Sequence, residues 1–239
     1  MTESLSLVIP LWNEEKNIPS LIESIQNSGL SLSENFELIL VNNGSQDQTG
    51  YLIDQAAKTR PWIHNVHLDR NLNYGGGIQV GIEKSKNNFV GFIPGDLQVA
   101  PSDVVVLWET CLNMIKNGQK EFLVKGFRAK RYDGISIQFV SFVYTFLANL
   151  ILKIHTKDLN ALPKIFNKSL YFKIHGTKIN TFVFDAQMML TAKQQNTAVY
   201  ELPVMFHARR EGVSSWSGKR MKVYFQSFRL LLKLRRENY

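Results

Sequence analysis

Carboxylate and amide side chains recur in four polar segments, each of which follows a short apolar run in the N-terminal half of the chain. The segments are Pro10–Glu15, Val41–Thr49, Asp69–Gly77 and Phe92–Gln98. The last one places the carboxylate of Asp96 two residues before the amide of Gln98. Oxygen ligands in that arrangement suit Mg²⁺ or Mn²⁺ when a diphosphate also holds the ion. Asp96 and Gln98 are therefore the predicted metal ligands.

The first two segments each allow a binding role and a purely structural one. Asn13 and Glu14 follow the first predicted strand, where side chains and helix-terminal amides meet ligands. Asn13 could equally cap the next helix, with the glutamate complementing the helix dipole. Asn42, Asn43 and Ser45 lie in a polar turn that could hydrogen-bond a base or a ribose, or could form an Asx-type turn before the following helix.

The third segment brings Gly75, Gly76 and Gly77 to the start of a helix, where free backbone N–H groups could approach a ligand closely. Their spacing differs from the GxGxxG pattern, and the sequence contains no GxxxxGK[ST] phosphate loop. Common NAD-dependent enzymes and P-loop NTPases are therefore disfavoured. Cys111 is the single cysteine, which excludes an internal disulfide and a multi-cysteine zinc site.

The elements that must position these segments alternate between β-rich runs and amphipathic stretches. This pattern predicts an α/β fold with a mostly parallel sheet and crossover helices. The predicted strands are Leu5–Pro10, Phe36–Asn42, Val66–Leu68, Phe89–Ile93 and Phe122–Phe127, and the predicted helices are Glu15–Asn27, Thr49–Lys58, Gly75–Lys86 and Ser102–Lys116. Ligands of open α/β sheets bind beyond the carboxyl ends of the strands, so we expect the four polar segments to converge on one crevice.

Charge is divided unevenly between the two halves of the chain. Residues 1–119 carry 7 basic and 13 acidic side chains, whereas residues 120–239 carry 21 basic and 7 acidic ones. A basic half can face nucleic acid, an anionic membrane surface or phosphorylated substrates, and charge alone does not choose among them. Nucleic acid is disfavoured because the aromatic residues of this half lie in apolar runs and no recognised nucleic-acid motif is present.

Two stretches of the basic half are candidate amphipathic helices. The first, at 135–154, opens with Ile135–Leu152, which contains no charged residue and reaches the lower length limit for a membrane-spanning helix. Its polar residues recur at steps of three and four, which favours a buried or membrane-surface helix, with a plain core helix as the alternative. The second, Trp216–Arg236, has seven basic residues among apolar ones. It indicates an interfacial helix at an anionic membrane, or a solvated helix docked by its apolar face.

In this order, the four polar segments resemble the motifs of family 2 glycosyltransferases of the GT-A fold. They are most similar to the dolichol-phosphate-mannose synthase-like branch, which transfers sugar to polyprenyl phosphate. The motifs of that family are a strand ending in PxxNE, a VDDGSxDxT turn, an NxGxG(G/A) helix entrance and DADLQ at the metal site. Later segments extend the similarity over nearly the whole chain: Lys125–Arg128, Asp158–Phe166, Phe184–Asp185, Glu201–Val204 and Arg209–Ser214.

The resemblance implies a nucleotide-diphosphate sugar as donor, a divalent metal and inversion of the anomeric centre. It implies catalytic roles for Asp96, Arg128 and Asp185, with Arg128 on the donor diphosphate and Asp185 as the base if the acceptor is a hydroxyl. Arg209 and Ser214 would bind the acceptor. The implied nucleotide-sugar-binding residues are Pro10, Asn13, Glu14, Asn42, Asn43, Ser45, Asn71, Gly75 and Gly95.

Two departures from the family pattern leave alternatives open. Asn42 and Asn43 stand where two acids are common, and Pro94 stands at the place of the first metal-site acid. Metal affinity would then be low or depend mainly on the donor diphosphate. One alternative is transfer to a sugar hydroxyl of a glycan or lipid-linked oligosaccharide. Another is a non-catalytic protein that binds a nucleotide sugar.

We expect residues 1–239 to form one domain with three parts. These are a nucleotide-sugar-binding half at 1–130, an acceptor half at 131–215 and a basic C-terminal helix at 216–239. The chain enters its first strand-like run with no basic or long apolar leader. We therefore expect a cytoplasmic protein that associates peripherally with the cytoplasmic face of a membrane.

Overall fold

A computed structural model describes residues 3–33, 35–175, 178–209, 211 and 220–238 of the chain, without the side chains of residues 220–222 and 224. The strands within these ranges are β1 (Leu5–Leu11), β2 (Phe36–Asn42), β3 (Ile63–His67), β4 (Phe89–Phe92), β5 (Phe122–Arg131), β6 (Lys164–Asn167) and β7 (Ala198–Phe206). The helices are α1 (Ile18–Asn27), α2 (Thr49–Thr59), α3 (Asn73–Lys84), α4 (Pro101–Lys116), α5 (Ile135–Leu152), α6 (Lys168–Phe172), α7 (Phe184–Gln194) and α8 (Arg220–Asn238).

The strands form one mixed sheet in the order β3-β2-β1-β4-β6-β5-β7. Strand β6 runs antiparallel to both of its neighbours, and the other pairings are parallel. The predicted α/β fold with a mostly parallel sheet is therefore confirmed. Strands β6 and β7 were not predicted, because β6 is four residues long and begins with Lys164, and because Pro203 lies inside β7. Proline inside a run argues against a strand except at a sheet edge, which is where β7 lies.

The central strands are buried on both faces, and the helices pack closely on them. In β1, Leu7, Val8 and Ile9 have no exposed surface, as expected for a parallel strand covered by helices. Helix α3 approaches this strand at Gly81, where an added Cβ atom would lie 2.2 Å from Val8 Cγ1. Glycine at this position thus lets α3 lie directly against the sheet and fixes the start of α3 beside the ends of β1 and β2.

Helix α5 has an inner face and an outer face of different character. Tyr144, Ala148 and Ile151 are buried, whereas an apolar stripe on the other side is 58–86% exposed, namely Ile135, Phe139, Phe142, Phe146 and Leu150. By length and composition α5 could cross a bilayer, and 28% of it is buried within the fold. Helix α8 packs on α5, and its Arg235 Nη1 donates a hydrogen bond to the Ile151 carbonyl at 3.1 Å. Residues 216–219 and 239 of the predicted C-terminal helix lie outside the described residues.

Candidate active site

The loops after β1 and β2 are joined by hydrogen bonds between their polar residues. The Asn13 backbone N–H donates to Ser45 Oγ at 3.0 Å, and Asn13 Oδ1 accepts from the Gln46 N–H at 2.9 Å. The Glu14 N–H donates to Thr49 Oγ1 at 2.9 Å. Asn13 has a φ of 54°, in the left-handed region that asparagine tolerates better than most residues. The two segments predicted to share a crevice therefore lie together at the carboxyl edge of the sheet.

The two asparagines at the end of β2 extend this network to the loop after β3. Asn42 Oδ1 accepts from the Ser45 N–H at 3.0 Å, as in an Asx turn. Asn43 Nδ2 donates to the Asn73 carbonyl at 3.0 Å and to Asn71 Oδ1 at 3.3 Å. Each amide both donates and accepts, which a carboxylate at these positions could not do. The departure from two acids at these positions thus has a structural use, since the amides join three loops.

The predicted role for free N–H groups at the start of α3 is contradicted at two glycines. The N–H groups of Gly75 and Gly76 donate to the Asn180 carbonyl at 2.7 and 3.2 Å. A Cβ atom on Gly75 would lie 2.6 Å from the Ile179 carbonyl oxygen. Glycines are needed here because the backbone of α3 lies in direct contact with the backbone of the segment before α7. Sequence reasoning could not find this reason, since the two segments lie about a hundred residues apart.

A cavity of about 510 Å³ lies between β4, α5, β7 and the start of α7. Its lining includes Asp96, Gln98, Arg128, Asp185 and Arg209, which were predicted to act in catalysis, metal binding and acceptor binding. The fold therefore brings together predicted residues from four separate segments. The predicted nucleotide-sugar residues do not line this cavity and lie at the adjacent strand ends, loops and start of α3. Among them, Gly95 packs against β1, where a Cβ atom on Gly95 would lie 2.2 Å from Leu11 Cδ2. Pro10 packs against α3, where a Cβ atom on Gly77 would lie 3.0 Å from Pro10 Cβ.

Asp96 is buried, and each of its two oxygens has a partner. Oδ2 accepts from Arg209 Nη2 at 2.7 Å, and Oδ1 accepts from the Gln98 backbone N–H at 3.1 Å. Arg209 Nη1 also lies 3.5 Å from Glu14 Oε1. Burial raises the pKa of Glu14, and the neighbouring charge of Arg209 opposes that rise. Arg209, predicted to hold the acceptor, thus contacts two acids, Glu14 and Asp96, that were predicted to act in donor and metal binding. Ser214, its predicted companion, lies outside the described residues.

The predicted metal site offers one carboxylate and one amide. Gln98 Nε2 donates to the His207 carbonyl at 3.1 Å, so its side-chain carbonyl oxygen is the atom suited to a cation. Among the described residues, no cluster of three or more His, Cys, Asp and Glu side chains could hold a metal by itself. Mg²⁺ is commonly held by one or two carboxylates, with waters and substrate phosphates completing its shell. The donor set of Asp96 and Gln98 therefore fits a cation that arrives with a diphosphate.

Arg128 lies at the end of β5 and forms a two-point ion pair with Asp158. Its Nε and Nη2 atoms donate to Asp158 Oδ2 and Oδ1, both at 2.6 Å. Burial by itself would raise the pKa of Asp158, but the hydrogen bonds and charge of Arg128 outweigh burial and lower it from the ordinary value of 3.8. The guanidinium carbon also lies 5.2 Å from the centre of the Phe206 ring. Arg128 is therefore held in one orientation beside the cavity.

Asp185 opens α7 and lies at the inner end of the cavity with no exposed surface. Lys164 Nζ donates to its Oδ1 at 2.8 Å, and Asn160 Nδ2 donates to its Oδ2 at 2.7 Å. The Tyr74 hydroxyl donates to the same Oδ2 at 3.3 Å. Burial, together with the charge of Asp185, raises the pKa of Tyr74 well above its ordinary value. Both oxygens of the predicted base are thus engaged by donors.

Sequence reasoning missed two buried lysines that organise the site. Lys164 pairs with Asp185, and Lys125 Nζ donates to Glu201 Oε1 at 3.0 Å. Burial and the charge of Lys164 lower the pKa of Lys125 to about 8. The available signal was a lysine enclosed by apolar residues in each of two short runs, Phe122–Phe127 and Leu162–Phe166. A lysine in such a run is buried only when it is paired, so each run predicts an acidic partner.

Solved structures with the same arrangement of sheet and helices define the fold class. Glucosyl-3-phosphoglycerate synthase from Mycobacterium tuberculosis, with Mn²⁺, UDP and phosphoglyceric acid, gives a TM-score of 0.72 at 18% identity, over 96% of this chain and 78% of that one. Its complex with Mg²⁺ and UDP gives 0.71 at 18% identity, over 97% and 80%. At this identity the likeness shows the fold alone, and the predicted GT-A fold is confirmed.

Residues 6–173 match the family model of Glycosyl transferase family 2, and the chain belongs to that family. It is 27% identical over 236 residues to dodecaprenyl-phosphate galacturonate synthase of Rhizobium johnstonii, covering 96% of this chain and 65% of that protein. It is 35% identical over 109 residues to undecaprenyl-phosphate 4-deoxy-4-formamido-L-arabinose transferase of Aeromonas hydrophila, covering 45% of this chain and 33% of that protein. The chain thus spans less than two thirds of the length of these relatives.

Proposed function

We propose that this chain transfers a sugar from a nucleotide-diphosphate donor to a polyprenyl phosphate. The observation that carries the proposal is that each of the three carboxylates lining the cavity has a cationic partner. The pairs are Asp96 with Arg209, Asp133 with Arg131, and Asp185 with Lys164. A hydroxyl acceptor needs a free carboxylate to take its proton, whereas a phosphate already carries negative charge near neutral pH. The engaged carboxylates favour the phosphate.

The departing diphosphate needs positive charge aimed at its oxygens as the bond to the sugar breaks. Arg128 supplies a fixed guanidinium at the cavity, with its orientation set by Asp158 and Phe206. A divalent cation, Mg²⁺ or Mn²⁺, held by Asp96 and Gln98, would supply further neutralisation there. By family resemblance the anomeric centre is inverted. Each residue here acts by position and charge, with no covalent bond to the substrate.

The cavity also suits the chain of a lipid acceptor. Its lining includes Arg128 and Arg209, which could hold a phosphate through charge-assisted hydrogen bonds. The same lining has apolar and aromatic side chains, among them Ile137, Val140, Tyr144, Leu162, Phe182 and Phe206. The cavity thus offers cations for an anionic head and apolar surface for a hydrocarbon tail. The names of the relatives, which are polyprenyl-phosphate enzymes, support the same acceptor class.

The acceptor would be met at a membrane surface, with an anionic cytoplasmic leaflet as partner. Cavity-lining positions of α5 recur at steps of three and four, and its exposed apolar stripe lies about half a turn away around the helix. Helix α8 exposes Phe225, Arg229, Leu232 and Arg236 at steps of four, three and four. Such a mixture of apolar and cationic side chains suits the interface of an anionic bilayer. Peripheral association of this kind would bring the cavity to its lipid substrate.

A sugar hydroxyl as acceptor is the second candidate, because Asp185 does line the cavity. Asp185→Asn separates the two: it should nearly abolish transfer to a hydroxyl, which needs a base, and reduce transfer to a phosphate only mildly. Rates are normalised to the folded fraction, measured by circular dichroism, because the substitution also alters the pair with Lys164. A severe loss with undecaprenyl phosphate as acceptor would contradict the proposal.

The experiment that tests the function itself measures sugar transfer from labelled UDP, GDP, dTDP and CMP sugars to undecaprenyl phosphate with Mn²⁺. A thermal-shift screen of the same donors identifies the base first, because a ligand that binds only the folded protein raises its melting temperature. Asp96→Ala is the matched control and should remove turnover. Donor binding without turnover under all conditions would favour the remaining alternative, a non-catalytic protein that binds a nucleotide sugar. That alternative is suggested by Pro94, which stands at the place of an acid in the predicted metal site.

A further inference from the structure

Arg209 bridges Glu14 and Asp96, the carboxylate of the predicted metal site. Its two terminal nitrogens lie 2.7 Å from Asp96 Oδ2 and 3.5 Å from Glu14 Oε1. We propose that Arg209 is the internal counter-cation of Asp96 and competes with the divalent cation for it, so that the metal enters only together with the donor diphosphate. This inference rests on the proposed function. It concerns which cation balances the negative charge of Asp96 before the donor binds.

The single negative charge of Asp96 makes the two cations compete. Its Oδ1 accepts from the Gln98 N–H, and its Oδ2 accepts from Arg209. A divalent ion bound to this carboxylate would lie within a few ångströms of the guanidinium, where two positive charges repel strongly in a partly buried site. The metal must therefore displace Arg209, and a single carboxylate gives it little to gain by doing so.

A diphosphate changes this balance. It brings oxygen ligands that complete the shell of the metal, and it brings negative charge to which a guanidinium can turn. The Arg209 side chain is 26% exposed, so its guanidinium can leave Asp96 without crossing the packed core. The next described residue after it is Glu211, which is also exposed. Release of Arg209 at this moment would place a free cation at the cavity, where the acceptor phosphate is proposed to bind.

The test measures Mn²⁺ binding to the full chain by electron paramagnetic resonance, first with Mn²⁺ alone and then with inorganic pyrophosphate added. Arg209→Gln should bind Mn²⁺ alone about fivefold more tightly than the wild type, the effect of removing one partly exposed ion pair. Arg131→Gln is the matched control, because it removes the same charge from a pair with Asp133, which lines the same cavity, but leaves the pair at Asp96 intact. Asp96→Asn should lose the binding in both conditions.

Three results would overturn the proposal. In the first, the wild type and Arg209→Gln bind Mn²⁺ equally well and Asp96→Asn does not bind it. This result would mean that Arg209 does not compete with the metal and binds only phosphate. An equal gain in Arg131→Gln would assign the effect to overall charge. Tight Mn²⁺ binding by the wild type without pyrophosphate would show a resident metal. The experiment measures Mn²⁺ binding and not sugar transfer. A failure of the proposed function in the turnover assay can therefore be distinguished from these three results.

Discussion

Two sides of the molecule stabilise their part of the site by different means. On the donor side, residues 5–100, the loops are joined mainly by amide and hydroxyl groups, such as those of Asn13, Asn43 and Ser45. On the acceptor side, residues 122–206, the strands and α7 are joined by buried ion pairs. These pairs are Lys125 with Glu201, Arg128 with Asp158, and Lys164 with Asp185. The two sides therefore differ in how much stability is lost when one partner of an interaction is substituted.

A neutral amide network tolerates substitution better than a buried ion pair. Loss of one ordinary hydrogen bond costs about 0.5–1.5 kcal/mol, whereas removal of one partner from a buried ion pair costs about 3–5 kcal/mol. The asparagines at the end of β2 illustrate the first case, since they replace acids and still join their loops. We therefore expect the donor side to vary without loss of the fold, and the acceptor side to be intolerant of single charge changes.

The largest expected effect follows from breaking the most deeply buried pair. Lys164→Met should lower the free energy of unfolding by about 3–5 kcal/mol, because it leaves Asp185 without its cationic partner in a site with no exposed surface. Urea unfolding followed by circular dichroism measures the change. Lys173→Met is the control, since its pair with Glu121 is 34% and 47% exposed and should cost less than about 1 kcal/mol. Similar losses in both variants would contradict the distinction between the two sides.

The same contrast explains how much of the molecule was predictable from sequence. Strand β2 was predicted to the residue and β1 to within one, because continuous apolar runs between turns read directly as buried parallel strands. Strand β3 begins three residues before its predicted start, because its exposed half contains His64 and Asn65 and does not alternate as an apolar strand would. Apolar patterning thus predicted the donor side well, and on the acceptor side it predicted the first residues of β5 and α5 but neither β6 nor β7.

The candidate site was predictable as a set of residues and not as a set of partners. Asp96, Arg128, Asp185 and Arg209 do meet at one cavity. Their pairings could not be predicted, since Arg209 and Asp96 are separated by 113 residues. A motif identifies a charge, but the side chain that neutralises it depends on which loops the sheet order brings together. Arg209 was expected at the acceptor and rests on the metal carboxylate for this reason.

The second prediction concerns Arg128, the cation proposed to face the donor diphosphate. Arg128→Ala should reduce turnover by about a hundredfold or more, because a fixed donor to the leaving group is lost. Arg128→Lys keeps the charge but loses the two-point pair with Asp158, so its loss should be intermediate. Steady-state transfer at saturating donor measures both variants. Turnover close to that of the wild type in Arg128→Ala would remove its assigned role and leave it a purely structural partner of Asp158.

The third prediction compares α8 with the donor side in affinity for membranes. Exchange of both Arg229 and Arg236 for glutamine should weaken binding to anionic vesicles by about thirtyfold, at about 1 kcal/mol for each cation near the surface. Both side chains are exposed on α8. The control removes two exposed cations of the donor side, Lys16 and Lys58, in the same way and should leave binding nearly unchanged. Sedimentation with vesicles of phosphatidylglycerol and phosphatidylcholine gives the affinities, and equal losses would exclude a docked α8.

The smallest expected effect compares one acid from each side as the pH falls. Asp158 is 13% exposed and Asp54 is 41% exposed, and the pKa of each is lowered. Burial opposes the shift at both. At Asp158 the hydrogen bonds and charge of Arg128 outweigh it, and at Asp54 hydrogen bonds from Asn65 and His67 do so.

A folded pKa below the ordinary value stabilises the protein above a pH of about 4, and the gain is lost as the pH falls through the folded pKa. Asp158→Asn should therefore be less stable than the wild type by about 1–3 kcal/mol at pH 6. The gap should be smaller at pH 3, which lies below the ordinary pKa of an aspartate, because the wild type has begun to lose the same contribution there. The stability of Asp54→Asn should stay within about 0.5 kcal/mol of the wild type at both pH values, because water screens the exposed pair of Asp54. Urea midpoints at the two pH values provide the comparison. If the stability difference between Asp158→Asn and the wild type does not narrow at pH 3, Asp158 stabilises β5 through its shape and packing and not through its charge. The contrast between a side joined by amides and a side joined by ion pairs would then be wrong at this pair.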